Sequence, residues 1–255
     1  MNIIDTHTHL YLKHFKDDID VIINRSREIG VKKFILPAID SSHYDSMHNL
    51  KNKYPDEIYL MSGLHPTDVK ENYKDELDFV ANSLKTNDYV AIGEIGIDLY
   101  WDKSFLKQQK EAFRSQIRLA IEYNLPIVIH CREAFNEIFE ILDKENCHKL
   151  RGVFHCFTGT QDQASRAIDL GFVLGIGGVV TFKNGGIDKF LHKIELKNIV
   201  LETDSPYLAP APFRGKRNES SYIIHVLEKL SEIYGISKEK IAEITSKNAE
   251  KVFRL

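Results

Sequence analysis

Asn2-Ile3-Ile4-Asp5-Thr6-His7-Thr8-His9 starts as an apolar strand and ends in two histidines two positions apart. Side chains alternate faces along a strand, so Asp5, His7 and His9 share one side, and the two imidazoles are placed to grip one ion. Four later stretches repeat the form: Ile92-Gly93-Glu94, Ile127-Val128-Ile129-His130, Gly152-Val153-Phe154-His155 and Val200-Leu201-Glu202-Thr203-Asp204. Each closes an apolar run with a residue that ligates metals. Ligands spread from His7 to Asp204 meet in one place only if the fold gathers its strand ends, which a closed parallel barrel does.

The rest of the chain agrees with that barrel. Eight strand-like runs lie near residues 2–7, 33–38, 58–63, 89–94, 126–130, 152–156, 172–176 and 198–204, with charged, helix-compatible sequence between most of them. Phe113, Ile117, Ala120 and Ile121 recur at helical spacing with Arg114, Arg118 and Glu122 between them. Residues 222–234 and 238–254 predict two final helices, with Ser237 as the cap of the second. The length of 255 residues is close to the ~250 typical of a (β/α)8 TIM barrel. The expectation is an α/β fold with one domain over 1–255 and a metal site at the carboxyl-terminal ends of the strands.

Composition narrows the function classes. Thirty-four Lys and Arg against 37 Asp and Glu leave a formal charge of −3, which argues against a generally basic surface that coats nucleic acid. Attraction for phosphate must then come from a local cluster. The amino terminus has neither the basic segment nor the apolar stretch of a secretory signal, and the glycine-broken apolar run around Gly171 to Val180 is about half the length that spans a bilayer. Cys131, Cys147 and Cys156 form no disulfide framework and no zinc pattern, which suits a reducing compartment. A cytoplasmic protein with no membrane contact and no obligate protein partner is expected. Alternation turns Cys131 and Cys156 away from the faces used by His130 and His155, so both are expected to be small buried hydrophobes.

The ligand set suggests two divalent ions. His7, His9, Glu94 and Asp204 are assigned to one, and Glu94, His130 and His155 to the other, with Glu94 as the bridge. A lone carboxylate at the end of Tyr89-Val90-Ala91-Ile92 is costly to bury without a cation. Mixed imidazole and carboxylate donors suit zinc, manganese or magnesium. Asp204, followed by Ser205-Pro206 where the strand must stop, is placed to ligate or to orient an attacking water. Asp5 and Glu202 are suited to support ligands from behind. Two such ions ~3.5–4 Å apart clamp the attacking and leaving oxygens of an in-line displacement. Glu94 and Asp204 are therefore the expected catalytic pair of a metal-dependent hydrolase.

Several motifs in order resemble those of the TatD-type deoxyribonuclease family of the amidohydrolase-like superfamily, across nearly the whole chain. They are Asp5-Thr6-His7-Thr8-His9-Leu10, Gly63-Leu64-His65-Pro66, Ile92-Gly93-Glu94-Ile95-Gly96-Ile97-Asp98, His155-Cys156-Phe157-Thr158-Gly159, Leu201-Glu202-Thr203-Asp204-Ser205-Pro206-Tyr207-Leu208 and Arg214-Gly215-Lys216-Arg217-Asn218-Glu219. The resemblance implies cleavage of DNA phosphodiesters with a divalent metal, as 3′–5′ exonuclease-like trimming linked to DNA repair and degradation. It also implies His65 and Arg132 as phosphate contacts. Tyr11 stands where many relatives carry an acidic residue, and Ser220 replaces a proline common after Arg-Asn-Glu. Neither is a proposed ligand.

Arg132, Lys183, Arg214, Lys216 and Arg217 all follow strand ends and form a candidate funnel for a DNA chain end or single strand. Tyr100, Trp101, Phe157, Tyr207 and Phe213 lie on neighbouring loops, where aromatic rings stack bases or pack the core. Two other readings compete with the nuclease: an ester or amide hydrolase of amidohydrolase type, such as an aminoacyl-nucleic-acid deacylase, and a barrel that binds metal or nucleic acid without turnover. Glu94 weighs against the first, because many carboxamide-cleaving barrels use a carboxylated lysine on the fourth strand. Asp98 is left outside the catalytic set, as either a substrate contact or a partner of Arg132.

Overall fold

The computed structural model, which describes residues 1–86, 88–145 and 150–255, lays eight parallel strands in one sheet in chain order. They are β1 (Ile3–Asp5), β2 (Val31–Leu36), β3 (Ile58–Ser62), β4 (Ala91–Asp98), β5 (Ile127–Arg132), β6 (Gly152–Phe154), β7 (Phe172–Ile176) and β8 (Ile199–Leu201). Each overlaps one of the eight expected runs. The seam between first and last strands closes through Thr6 N–H to the Leu201 carbonyl at 3.0 Å and Asp204 N–H to the His7 carbonyl at 2.9 Å. A parallel bridge joins Thr8 to Ser205 just beyond. The fold is a (β/α)8 barrel.

Helices α1 (Ile19–Glu28), α2 (Tyr44–Lys53), α3 (Tyr73–Ser83), α4 (Leu106–Tyr123), α5 (Phe135–Lys144) and α6 (Gln161–Asp169) follow β1 to β6 in turn. Between β7 and β8 the described chain makes only short 3-10 turns. Gly177, Gly178, Gly185 and Gly186 concentrate there, and each glycine costs a helix about 1 kcal/mol relative to alanine. After β8 come α7 (Ile223–Tyr234) and α8 (Lys238–Phe253), and the Ser237 hydroxyl caps α8 by accepting the Lys240 N–H.

The strands are buried on both faces, so their sequences read as near-continuous apolar runs rather than alternating ones. Ile4, Ile35, Met61, Ala91, Val128, Val153 and Val200, from seven different strands, form one buried cluster with Ala249, Val252 and Phe253 of α8. The Ser246 hydroxyl and the Asn248 amide of α8 donate to the carbonyls of Asn2 and Ile199, at the beginnings of β1 and β8. Thus α8 covers the amino-terminal end of the barrel, and the opposite end is free for chemistry. No helix among the described residues is long and apolar enough to cross a membrane. Cys131 and Cys156 are free thiols, and Cys147 lies outside the described residues.

Candidate metal centre

Glu94 stands at the centre of the carboxyl-terminal mouth. Its Oε2 is 3.0 Å from His7 Nε2, and its Oε1 is 2.7 Å from His130 Nδ1, 3.5 Å from His65 Nε2 and 3.8 Å from His155 Nε2. Asp204 Oδ1 faces the same space, 3.5 Å from His9 Nε2, 3.8 Å from His7 Nε2 and 3.9 Å from His155 Nε2. The His7 and His155 rings stack with centroids 3.4 Å apart. All six expected ligands therefore converge. Only 3% of the Glu94 side chain is exposed against 15% of Asp204, so Asp204 is the carboxylate that meets the cleft.

Backbone close approach makes this convergence possible. Gly96, at φ 149°, lies against the His130 carbonyl where a Cβ would collide, so β4 and β5 meet tightly beside the two ligands. A Cβ on Gly175 would collide with the Glu202 carboxylate, and its absence lets that acid tuck under His155.

Nearly every ligand is held from behind. His9 Nδ1 lies 2.8 Å from the Tyr11 hydroxyl, which donates to the Pro37 carbonyl at 2.7 Å. With its proton committed, that hydroxyl accepts from His9 Nδ1–H and leaves Nε2 bare towards Asp204. Glu202 Oε1 lies 3.0 Å from His155 Nδ1 and also accepts the Cys156 N–H at 2.6 Å. Asp5 accepts the Thr203 N–H and hydroxyl at 3.0 and 2.7 Å, which fixes the chain just before Asp204. Asp98 Oδ2 takes His130 Nε2 at 2.9 Å, while Oδ1 accepts the N–H groups of Tyr100 and Trp101.

The electrostatics follow from so much charge in so little water. Burial pushes against ionisation of Glu94, yet His155, His65 and His7 hold its carboxyl well below the usual range. Burial lowers His130, but Asp98 and Glu94 outweigh it and raise the imidazole to about 9. His155 is raised to about 10 in the same way, by Glu202 and Glu94 against burial. Asp5 is pushed up to about 7 by burial, which its bonds to Thr203 only partly offset.

The residues fit a divalent metal. Both ring nitrogens of buried His7 make no hydrogen bond, even though Nε2 sits at ion-pair distance from Glu94. Leaving a buried polar group unpaired costs ~1–3 kcal/mol, which an ion coordinated at that nitrogen removes. Ligand atoms fall within 4.8 Å of one another in the sets His7, His9, Glu94; His7, His155, Asp204; and His65, Glu94, His130. Relative to the partition expected from sequence, His155 groups with His7 and Asp204 rather than with His130. His65, expected at phosphate, stands beside His130 and Glu94.

The outer residues divide. Arg132 lines a cleft of about 480 Å³ together with Glu94, Asp98, Trp101, Asp204 and Tyr207, and its guanidinium lies over the Tyr100 ring at 3.8 Å. Arg214, Lys216 and Arg217 are not among the described residues that line that cleft. Arg214 sits over Phe182 at 3.5 Å, Lys216 lies near Phe213, and Arg217 pairs with Asp18 at 2.5 Å. Lys183 is exposed, and Phe157 is buried in the core. Cys131 packs half-buried against the core, but Cys156 departs from the expected orientation. β6 ends at Phe154, Cys156 takes φ 43°, alternation stops, and the half-buried Cys156, beside His155 and Glu202, lines a pocket of about 570 Å³ that shares His130, Arg132, His155 and Asp204 with the cleft. Burial raises that thiol well above its ordinary value.

Three functional residues escaped the sequence reading. Asp98 pairs with His130, where the sequence left it as a substrate contact or a partner of Arg132. Its signal was present, since Glu94, Gly96 and Asp98 share one face of β4. Gln116 of α4 accepts the Leu64 N–H at 2.7 Å and donates to the Leu64 carbonyl at 3.2 Å, anchoring the residue before His65. Its signal was a polar residue on the face that carries Phe113, Ile117 and Ala120. Tyr11 stood out only as a departure from the resembling family.

The family model described as TatD related DNase matches residues 4–254. The uncharacterized metal-dependent hydrolase YabD of Bacillus subtilis is 39% identical over 99% of this chain and 99% of its own length. The 3′-5′ ssDNA/RNA exonuclease TatD of Pantoea ananatis is 32% identical over 98% of this chain and 99% of its own. The crystal structure of YJJV, a TatD homolog from Escherichia coli, superposes with a TM-score of 0.93 at 28% identity, covering 99% of this chain and 98% of that one.

Proposed function

This chain belongs to the TatD-related DNase family of metal-dependent hydrolases, and from that premise we propose that it hydrolyses DNA phosphodiesters, trimming single strands from the 3′ end with two divalent ions. The observation that carries the proposal is the use of both Glu94 oxygens, Oε2 towards His7 and Oε1 towards His130 and His65. A carboxylate shared between two donor clusters suits a bridge between two ions. When bound, such ions supply Lewis-acid stabilisation of the phosphoryl oxygens and a nucleophilic water near neutral pH.

The chain's own groups do the rest. Asp204 is ionised, because the imidazoles of His155, His7 and His9 around it outweigh its burial. Its partly exposed carboxylate accepts the proton of the attacking water and returns it to the leaving oxygen. Arg132 offers a planar fork to the non-bridging phosphate oxygens, and the Tyr100 ring beneath it fixes the plane of that fork. Exposed Trp101 and Tyr207 flank the cleft as surfaces for unstacked bases. The exonuclease name of the Pantoea relative supports the same substrate class.

The test is to strip the protein of metal, restore zinc, manganese or magnesium separately, and follow end-labelled single-stranded DNA. Shortening from the 3′ end is expected with at least one metal, and Glu94→Ala or Asp204→Asn should lose it by ~10²–10³-fold or more, the scale of removing one transition-state charge partner. Intact DNA with every metal, alongside turnover of ester or amide substrates, would transfer the site to the deacylase reading. Metal uptake with no turnover of any of them would leave a binding barrel.

A further inference from the structure

We propose that the catalytic cleft continues past Tyr207 into a second groove that holds the non-reacting nucleotides of a single strand, an inference that rests on the phosphodiesterase reading above. The groove, about 780 Å³, lies between the segment after β1 and helix α2. Its floor is apolar, with Leu10, Leu12, Ile39 and Leu50, and Lys13 and Lys16 stand on its rim. An apolar floor with a cationic edge matches the faces of bases and the phosphates that link them. Continuity with the cleft comes from Tyr207, 46% exposed, which lines both spaces. Its ring lies 6.0 Å from that of His9 on the catalytic side and 6.3 Å from that of His14 on the groove side.

The availability of charge selects the phosphate contacts. Lys53, also on the lining, is taken by Asp20 at 2.6 Å. Arg217 is held by Asp18 and by the His14 carbonyl at 2.5 Å, and its guanidinium covers Phe15. That arrangement clamps the segment 13–18 and neutralises Asp18. Lys13 and Lys16 are exposed and have no acidic partner among the described residues. The basic loop that sequence placed at phosphate thus acts through this clamp, and the lysines it presents make the contact.

The deciding variant is Lys13→Glu/Lys16→Glu, two changes at exposed residues that line the groove but not the catalytic cleft. Binding to labelled single strands is read by fluorescence anisotropy in EDTA, and cleavage by gel after manganese is restored. A strand of about 12 nucleotides, within the ~4–16 that single-strand sites cover, should bind at least about tenfold more weakly to the variant. Its slope of log affinity against log salt should fall by about 1.4, about 0.7 for each of two phosphates. A trinucleotide should bind equally to both proteins, and turnover of bis(4-nitrophenyl) phosphate should be unchanged. Equal affinity and slope for the long strand in both proteins overturns the groove and leaves the catalytic reading intact. Cleavage of nothing by the wild type removes the catalytic reading, and the anisotropy series still decides the groove.

Discussion

Tyr11 sets the tautomer of His9 through a hydroxyl whose own proton goes to Pro37. An acidic side chain at that position would hold His9 by charge, and the phenol does it by a relayed hydrogen bond inside the protein. Tyr11→Phe keeps the ring and deletes the relay, so His9 can turn or protonate at Nε2. Metal affinity should fall ~10–100-fold, the usual cost of removing a group behind a ligating histidine. Chelator-competition titration checks this, and the metal-free protein should lose only ~1 kcal/mol of stability. Unchanged affinity would mean that His9 does not ligate through Nε2. The identity of this residue is plain in the sequence, but its role is not, because Pro37 becomes its neighbour only when β1 and β2 pair. Asp98 differs: its place on the Glu94 face could be counted along one strand.

Helix α4 shows how an element carries both core and site. Its Phe113, Ile117 and Ala120 are buried as their spacing requires, while Gln109 and Gln116, seven residues apart on the same side, reach the strand ends. Gln109 accepts the Asp98 N–H at 2.9 Å, and Gln116 clamps Leu64 from both sides. Gln116→Leu fills the same volume but strands two buried backbone groups, at ~1–3 kcal/mol each. Urea denaturation should show a loss of at least ~2 kcal/mol, and a near-neutral result would mean that water reaches Leu64. Periodicity made the element legible, along with α7, α8 and all eight strands. It failed where local geometry departs from the regular period. β4 ran on to Asp98, and the left-handed turn at Cys156 moved a cysteine from the core to the pocket beside the cleft. Phosphate contacts were the least legible, since a basic residue after a strand does not reveal whether an acid such as Asp18 already holds it.

At the scale of the whole barrel, stability and chemistry occupy opposite ends. The end covered by α8 is packed with Ala249, Val252 and Phe253, while the other gathers Glu94, Asp98, Glu202 and Asp204 around the five imidazoles of His7, His9, His65, His130 and His155. A divalent ion binds that arrangement only when the strands are closed, so metal must stabilise the folded state by mass action. At a concentration of ~100 Kd the gain is ~2.7 kcal/mol, which for a chain of this size corresponds to a rise in Tm of about 5–11 °C. Thermal scans of chelator-treated protein across a metal series should therefore show Tm climbing with the logarithm of free metal. Glu94→Ala should flatten that response, because it removes donors from both clusters at once. A wild-type Tm indifferent to zinc, manganese and magnesium would mean that the buried nitrogens of His7 find their partner elsewhere.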